Sequence, residues 1–190
     1  MKKIFLIGDS IRIGYDSIVR EIMQDEAQVY WSNDNARFTA YTFRYLTDWS
    51  KSDCDPEKID FVHWNNGLWD ALHIMGDDCQ TPLGEYQNGV LRIARRVKRI
   101  FPNAQVAFAY TTSVVESRMG EQFYRRNADI RQYNEAARRV LEDEGVMIDD
   151  LYTVAAEMSD DLHAPDGTHF TPEGYRVLAE AVADFIRKRL

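Results

Sequence analysis

With 190 residues and 45% hydrophobic content, the chain is long enough for one buried core and short for two, so a single domain over 1–190 is expected. A formal net charge of −8 and a pI near 5.0 supply no concentrated positive footprint, which sets aside nucleic acid and anionic membrane surfaces as partners. Cys54 and Cys79 lie in polar, loop-like segments with no CxxC spacing and no nearby Cys/His pair; this excludes a zinc-finger pattern and predicts two free thiols, as in a reducing, cytoplasmic setting. The start at Met1, Lys2, Lys3 imitates a signal peptide, but its apolar run breaks at Gly8 and Asp9 and no small-residue cleavage site follows.

Ile4 to Ile7 is an apolar run with the character of a strand buried on both faces, ended at once by Gly8, Asp9 and Ser10. Apolar residues at helical spacing over 17–23 follow, which places Ser10 between a central strand and a helix. Gln28 to Trp31 read as a second strand, closed by the loop formers Ser32 to Asn35. Thr39 to Trp49 suit a helix, Lys51 to Lys58 a charged turn around Pro56, and Ile59 to Trp64 a third strand stopping at Asn65, Asn66, Gly67. Asp70 to Pro82 lacks periodicity and is expected to be a loop. Tyr86 to Ile100 is an amphipathic helix with basic residues towards its C-terminus.

Gln105 to Tyr110 give a fourth strand, 111–120 an irregular polar stretch, Phe123 to Glu144 a long helix, and Val146 to Asp149 a fifth strand. A short helical piece over 151–158 precedes Thr171, Pro172, Glu173, a hydroxyl cap, proline and acid that open the last helix. Strand and helix alternate, with crossovers long enough for helices. The expected fold is α/β: a three-layer α/β/α sandwich with a mainly parallel five-stranded sheet in flavodoxin-like order.

Chemistry concentrates in two stretches. Ser10 ends the first strand, where an open α/β sheet places its reactive groups. Asp166, Gly167, Thr168, His169 precede the last helix in a loop pinned by Pro165 and Pro172. An acid three residues before a histidine can turn its carboxylate onto the imidazole; His169 then takes the Ser10 proton while Asp166 stabilises the imidazolium. Read singly, the same residues are a turn cap and a surface histidine.

Together, a GDS run at the end of the first strand and a DxxH before the last helix resemble the SGNH hydrolases, the GDSL esterase/lipase family, over nearly the whole chain. The resemblance implies a serine esterase that works without metal or other cofactor, with Ser10 as nucleophile and Asp166 and His169 as its partners. It also implies an oxyanion hole made by the Ser10 N–H, a second-block glycine and a third-block asparagine. Here the sequence departs from the pattern: Ala36 takes the glycine position, and Gly67, Leu68, Trp69, Asp70 put tryptophan where asparagine is expected. Asn66, bordering Gly67, is the favoured substitute donor, with Asn65 as the other candidate; both also suit simple turn roles. Arg12 and Arg37 flank the proposed site and are candidate anchors for an anionic substrate group, and Trp69 is a candidate substrate contact among tryptophans that otherwise suit packing.

The expected activity is hydrolysis of short acyl esters, such as O-acetyl groups on carbohydrates or other polar alcohols, through an acyl-enzyme, with a small molecule or glycan as partner. Its rate should fall at acidic pH as His169 becomes protonated. Two alternatives stand beside it: a metal-dependent hydrolase using Asp9, Asp70, His163, Asp166 and His169 as ligands, and a non-catalytic binding relative whose altered blocks keep only a pocket.

Overall fold

The computed structural model describes residues 1–51 and 54–190, so positions 52 and 53 of the charged turn expected over 51–58 lie outside the described residues. Five strands make the central sheet: β1 (Lys2–Ile7), β2 (Ala27–Trp31), β3 (Phe61–Trp64), β5 (Gln105–Ala109) and β7 (Met147–Asp149). Their order is β2-β1-β3-β5-β7 and every pair is parallel. Each crossover carries a helix, because a parallel neighbour is reached only by returning along the sheet. The helices are α1 (Ser10–Ile22), α2 (Thr39–Trp49), α3 (Leu83–Ile100), α4 (Asn127–Asp143), α5 (Leu151–Ala156) and α6 (Pro172–Arg187).

The chain runs outward from β1 to β2, then crosses back over β1 to β3. With right-handed crossovers, that reversal sends α1 to one face and α2 to the other. Packing agrees: α1 lies against α6, which also meets α5, while α2, α3 and α4 form a row. β1 is buried from Ile4 to Ile7 and β3 throughout, so the core runs through the two strands that meet at the reversal. A flavodoxin-like sheet places its crevice at the carboxyl ends of that pair. Ile7 faces Trp64 in the register, which brings Gly8, Asp9 and Ser10 alongside Asn65, Asn66 and Gly67.

Two segments differ from the sequence expectation. The loop over 70–82 contains a strand of two residues, β4 (His73–Ile74), paired antiparallel with β6 (Phe123–Tyr124). The long helix expected from Phe123 therefore begins only at Asn127, because the backbone of its first residues is taken up by this pairing. The last helix opens as read, with Thr171 Oγ1 accepting from the Gly174 N–H at 3.2 Å.

Candidate active site

Ser10 is the first residue of α1. Asp9 caps that helix, its carboxylate accepting from the Ile11 N–H at 3.0 Å and its carbonyl from Ile13 at 3.1 Å. The backbone N–H of Ser10 belongs to the first turn, whose N–H groups have no acceptor within the helix and lie at the positive end of its dipole. Asp9 is fully buried, and burial pushes its carboxyl up against the lowering effect of Asn65, the Ile11 N–H, Arg125 and Arg12.

His169 stands across the crevice in a loop with few degrees of freedom. The Ala164 N–H donates to the His169 carbonyl at 2.8 Å and the Gly167 N–H to the Ala164 carbonyl at 3.0 Å. Gly167 has φ +72 and lies under the Val115 backbone, where a Cβ would come within 2.5 Å of the Val115 carbonyl oxygen; only glycine fits. Arg118 clasps the loop from the same side, donating to the carbonyls of His163, Ala164 and Asp160.

The Ser10 Oγ and His169 Nε2 are 2.8 Å apart, and His169 Nδ1 lies 2.6 Å from Asp166 Oδ2. Partial burial raises the Asp166 carboxyl, but the His169 ring and the N–H groups of His169 and Thr168 outweigh it and hold it below the usual carboxylate range. With Asp166 ionised, Nδ1 donates to it and Nε2 is left to accept from the Ser10 hydroxyl, the arrangement a general base requires. A cavity of about 510 Å³ opens over Ser10 and His169. Leu68, Trp69, Met119 and Phe123 form its apolar wall, and Asn35, Arg125 and Thr168 its polar one.

A family model described as the GDSL-like lipase/acylhydrolase family matches residues 6–177. The chain belongs to that family. It is a carboxylic ester hydrolase with the SGNH hydrolase fold. Its fold is similar to that of a lipase/acylhydrolase from Enterococcus faecalis at 20% identity and TM-score 0.78, covering 100% of this chain and 97% of that one. Similar too are the acetyl xylan esterase AlAXEase, at 17% identity and TM-score 0.72 over 97% and 99% of the two chains, and a member of the lipolytic G-D-S-L family from Veillonella parvula, at 17% and 0.71 over 100% of each. No curated protein matches the chain by sequence.

Against the family pattern, the second and third blocks require correction. Ala36 is fully buried and its N–H donates to the Gly8 carbonyl at 2.9 Å, so that hydrogen is not available to a substrate. The residue that adopts the left-handed backbone favoured by glycine is its neighbour Arg37, with φ +50. Arg37 N–H in turn donates to Asn35 Oδ1 at 2.9 Å, and Asn35 lines the cavity.

Asn66 is fully buried, its Nδ2 donating to the Arg37 carbonyl at 2.9 Å and to Thr42 Oγ1 at 2.8 Å, with Oδ1 accepting from Trp64 Nε1. Both amide hydrogens are used, so the expected oxyanion role does not fit its geometry. Asn65 packs under Gly8, where a Cβ would fall 1.9 Å from its Oδ1, and its side chain opposes the upward push of burial on the Asp9 carboxyl. Gly67, at φ +148, lies against Thr111 and is not in the cavity wall.

Arg12 is a structural residue rather than a substrate anchor: it is 1% exposed, paired with Asp16 at 2.6 Å and bonded to the Gly8 and Asp34 carbonyls and Ser32. Arg37 is exposed, with its guanidinium over the Tyr41 ring. Of the expected contacts only Trp69 lies in the wall. The ligand set considered for a metal hydrolase is dispersed: Asp70 binds Thr39, the His163 ring packs on Phe170, and Asp9 caps α1.

Sequence reading missed Arg125. It is 5% exposed, donates through Nε to the Leu68 carbonyl and through a terminal nitrogen to Thr168 Oγ1 at 3.3 Å, and borders the cavity. Burial lowers it to about 10, with Asp9 and Asp166 opposing, so it is cationic at neutral pH. Nothing in the sequence distinguishes it from the solvated arginines, since its partners are 57 and 43 positions away.

Proposed function

We propose that this chain, as a single SGNH-type domain over 1–190, is a serine esterase for short acyl esters. Ser10 attacks the ester carbonyl, His169 takes its proton and passes it to the leaving alcohol, and Asp166 holds the ring. Water activated by His169 then releases the acyl group from Ser10. The observation that carries this reading is the continuous chain from Ser10 Oγ through both nitrogens of His169 to Asp166, at 2.8 and 2.6 Å, opening into a cavity.

The negative charge that develops on the carbonyl oxygen meets the Ser10 N–H at the head of α1, the Asn35 amide and the buried Arg125 cation. These take the place of the family's glycine and asparagine donors. The cavity favours a small acyl group beside a polar alcohol: its wall combines Trp69 and the half-exposed Phe123 with Asn35 and Arg125. The fold's similarity to an acetyl xylan esterase supports O-acetyl groups on carbohydrates as the substrate class. No described helix is long and apolar enough to cross a membrane, and Cys54 and Cys79, neither of which is in a disulfide, support action in the cytoplasm.

Labelling with a fluorophosphonate probe, run beside a panel of p-nitrophenyl esters and acetylated sugars, tests the reading. Wild type should be labelled and turn over acetyl esters fastest, and Ser10→Ala and His169→Ala should do neither. An unlabelled wild type that binds acetylated sugars without turnover would make the chain a binding relative instead.

A further inference from the structure

His73 begins β4 and is 6% exposed, its ring stacked on Tyr124 of β6 with centroids 4.8 Å apart and planes 6° from parallel. Nδ1 lies 2.9 Å from the Asp77 carbonyl oxygen. That oxygen can only accept, so Nδ1 carries a hydrogen and the neutral ring presents its lone pair at Nε2. The lone pair faces Asp129 Oδ2 at 2.9 Å and Cys79 Sγ at 3.4 Å, and the three atoms lie within 4.8 Å of one another. A nitrogen lone pair facing a carboxylate oxygen at 2.9 Å is unfavourable unless a proton or a metal cation stands between them, and the thiol adds a third donor atom at the same point.

We propose that His73 Nε2, Cys79 Sγ and Asp129 Oδ2 bind a zinc ion, which corrects the expectation that Cys79 has no histidine nearby: His73 precedes it by six residues, and the third ligand comes from α4. Tetrahedral zinc separates its nitrogen and oxygen ligands by about 3.4 Å and nitrogen and sulfur by about 3.6 Å, given bond lengths near 2.1 and 2.3 Å. The two separations from His73 Nε2 are within about half an ångström of these, and Asp129 Oδ2 and Cys79 Sγ, within 4.8 Å of each other, close on the ion by side-chain rotation. The Nδ1–H to carbonyl bond is the outer-shell contact that fixes a metal-bound histidine. The carboxylate meets Nε2, on the same side as the thiol, so the three residues do not form a nucleophile relay like that of Ser10, in which the acid must hold the opposite nitrogen.

The ion would join the 70–82 segment to the first turn of α4, beside a sheet whose strands have two residues each. β6 supplies Phe123 to the cavity wall and leads into Arg125, so the metal would brace that wall without entering the ester chemistry.

Titration of the chelator-treated full chain with Zn²⁺ tests this, followed by Co²⁺ substitution read by near-ultraviolet absorption. Wild type should bind one ion per chain, show a thiolate-to-cobalt charge-transfer band, melt at higher temperature with Zn²⁺ present, and bind more weakly as pH falls because the thiol proton must leave. Cys79→Ser should abolish the band and weaken Zn²⁺ binding by at least about tenfold. Cys54→Ser should change neither. If Cys79→Ser does not fold, as judged by near-ultraviolet circular dichroism, Asp129→Asn carries the same zinc titration. A wild type that binds no Zn²⁺, or Zn²⁺ binding unchanged in these variants, would overturn the proposal and leave the ring held by a second proton.

Discussion

Asp166 holds His169 at two points. Its Oδ1 accepts from the His169 backbone N–H at 2.9 Å while its Oδ2 accepts from the ring at 2.6 Å, so one carboxylate fixes both the loop and the orientation of the imidazole. Asp166→Asn keeps the size but offers the ring an amide. It should lower kcat on an acetyl ester by about 10³- to 10⁴-fold, the range for losing the orienting acid in such relays. Because Asp166 titrates below the ordinary carboxylate range, its charge is fully present above that range and lost only as pH falls through the lowered folded value. Lowering the pH to about 5 should therefore leave Asp166 ionised, so that a loss of rate there does not arise from its protonation. A kcat for Asp166→Asn within tenfold of wild type would sink its assigned role.

The donors around the carbonyl oxygen can be separated by substitution. Asn66→Ala strips partners from Trp64, Thr42 and the Arg37 carbonyl, so it should cost about 1–3 kcal/mol of stability. Its kcat should remain within about tenfold of wild type, since its amide is spent inside the protein. Arg125→Met should do the reverse at the site and lower kcat/KM by about 100-fold, with Arg125→Lys recovering part of it through the retained charge. Denaturant melts beside initial rates check both; a 100-fold loss of kcat in Asn66→Ala at unchanged stability would restore the asparagine as donor.

Asp70 should make stability fall as pH rises. It is fully buried, and burial raises its carboxyl to about 6 against the opposing hydrogen bonds from Thr39. Between the unfolded value near 3.8 and about 6, the folded chain keeps a proton that the unfolded chain has released. Stability from this group is therefore greatest below about 4 and declines up to about 6, by roughly 2–3 kcal/mol. Asp70→Asn should lack that decline, so that the difference between the two stability curves, measured by urea melts at a series of pH values, falls by this amount over the same range. Parallel curves for the two proteins would show that Asp70 titrates normally.

What the sequence made legible follows from how locally each feature is determined. The buried run Ile4–Ile7 and the Thr171-Pro172 helix start carry their own signals, and Asp166 and His169 are three residues apart, so the acid–base pair could be read directly. Ser10 required only the expectation that β1 ends in the crevice. The oxyanion donors were not legible: Asn66 has the right place in the chain, but Trp64, Arg37 and Thr42 claim its amide, and two of those partners are 29 and 24 positions away. Likewise β4 and β6 exist only because His73 and Ile74 meet Tyr124 and Phe123, a pairing across some fifty residues that leaves no periodicity in either segment.

Gly14 lets α1, which begins with Ser10, approach closely to α6, the helix that follows the His169 loop. A Cβ on Gly14 of α1 would lie 2.1 Å from Cε1 and 2.2 Å from Cζ of Tyr175 on α6. Tyr175 packs edge-on against Phe170, the residue after His169. Gly14→Ala must therefore push α6 or the Tyr175 ring outward, at a cost of about 1–3 kcal/mol for overpacking. Displacing the His169 loop by about an ångström would lower kcat by about 100-fold. Gly84→Ala is the matched control: a Cβ there meets nothing within 4 Å in α3, so it should leave kcat unchanged and stabilise the chain by about 0.4–1 kcal/mol. Equal kcat in the two variants would mean that the Ser10–His169 distance is held by the loop contacts of Arg118 and Val115 alone, and that the α1–α6 contact carries only stability.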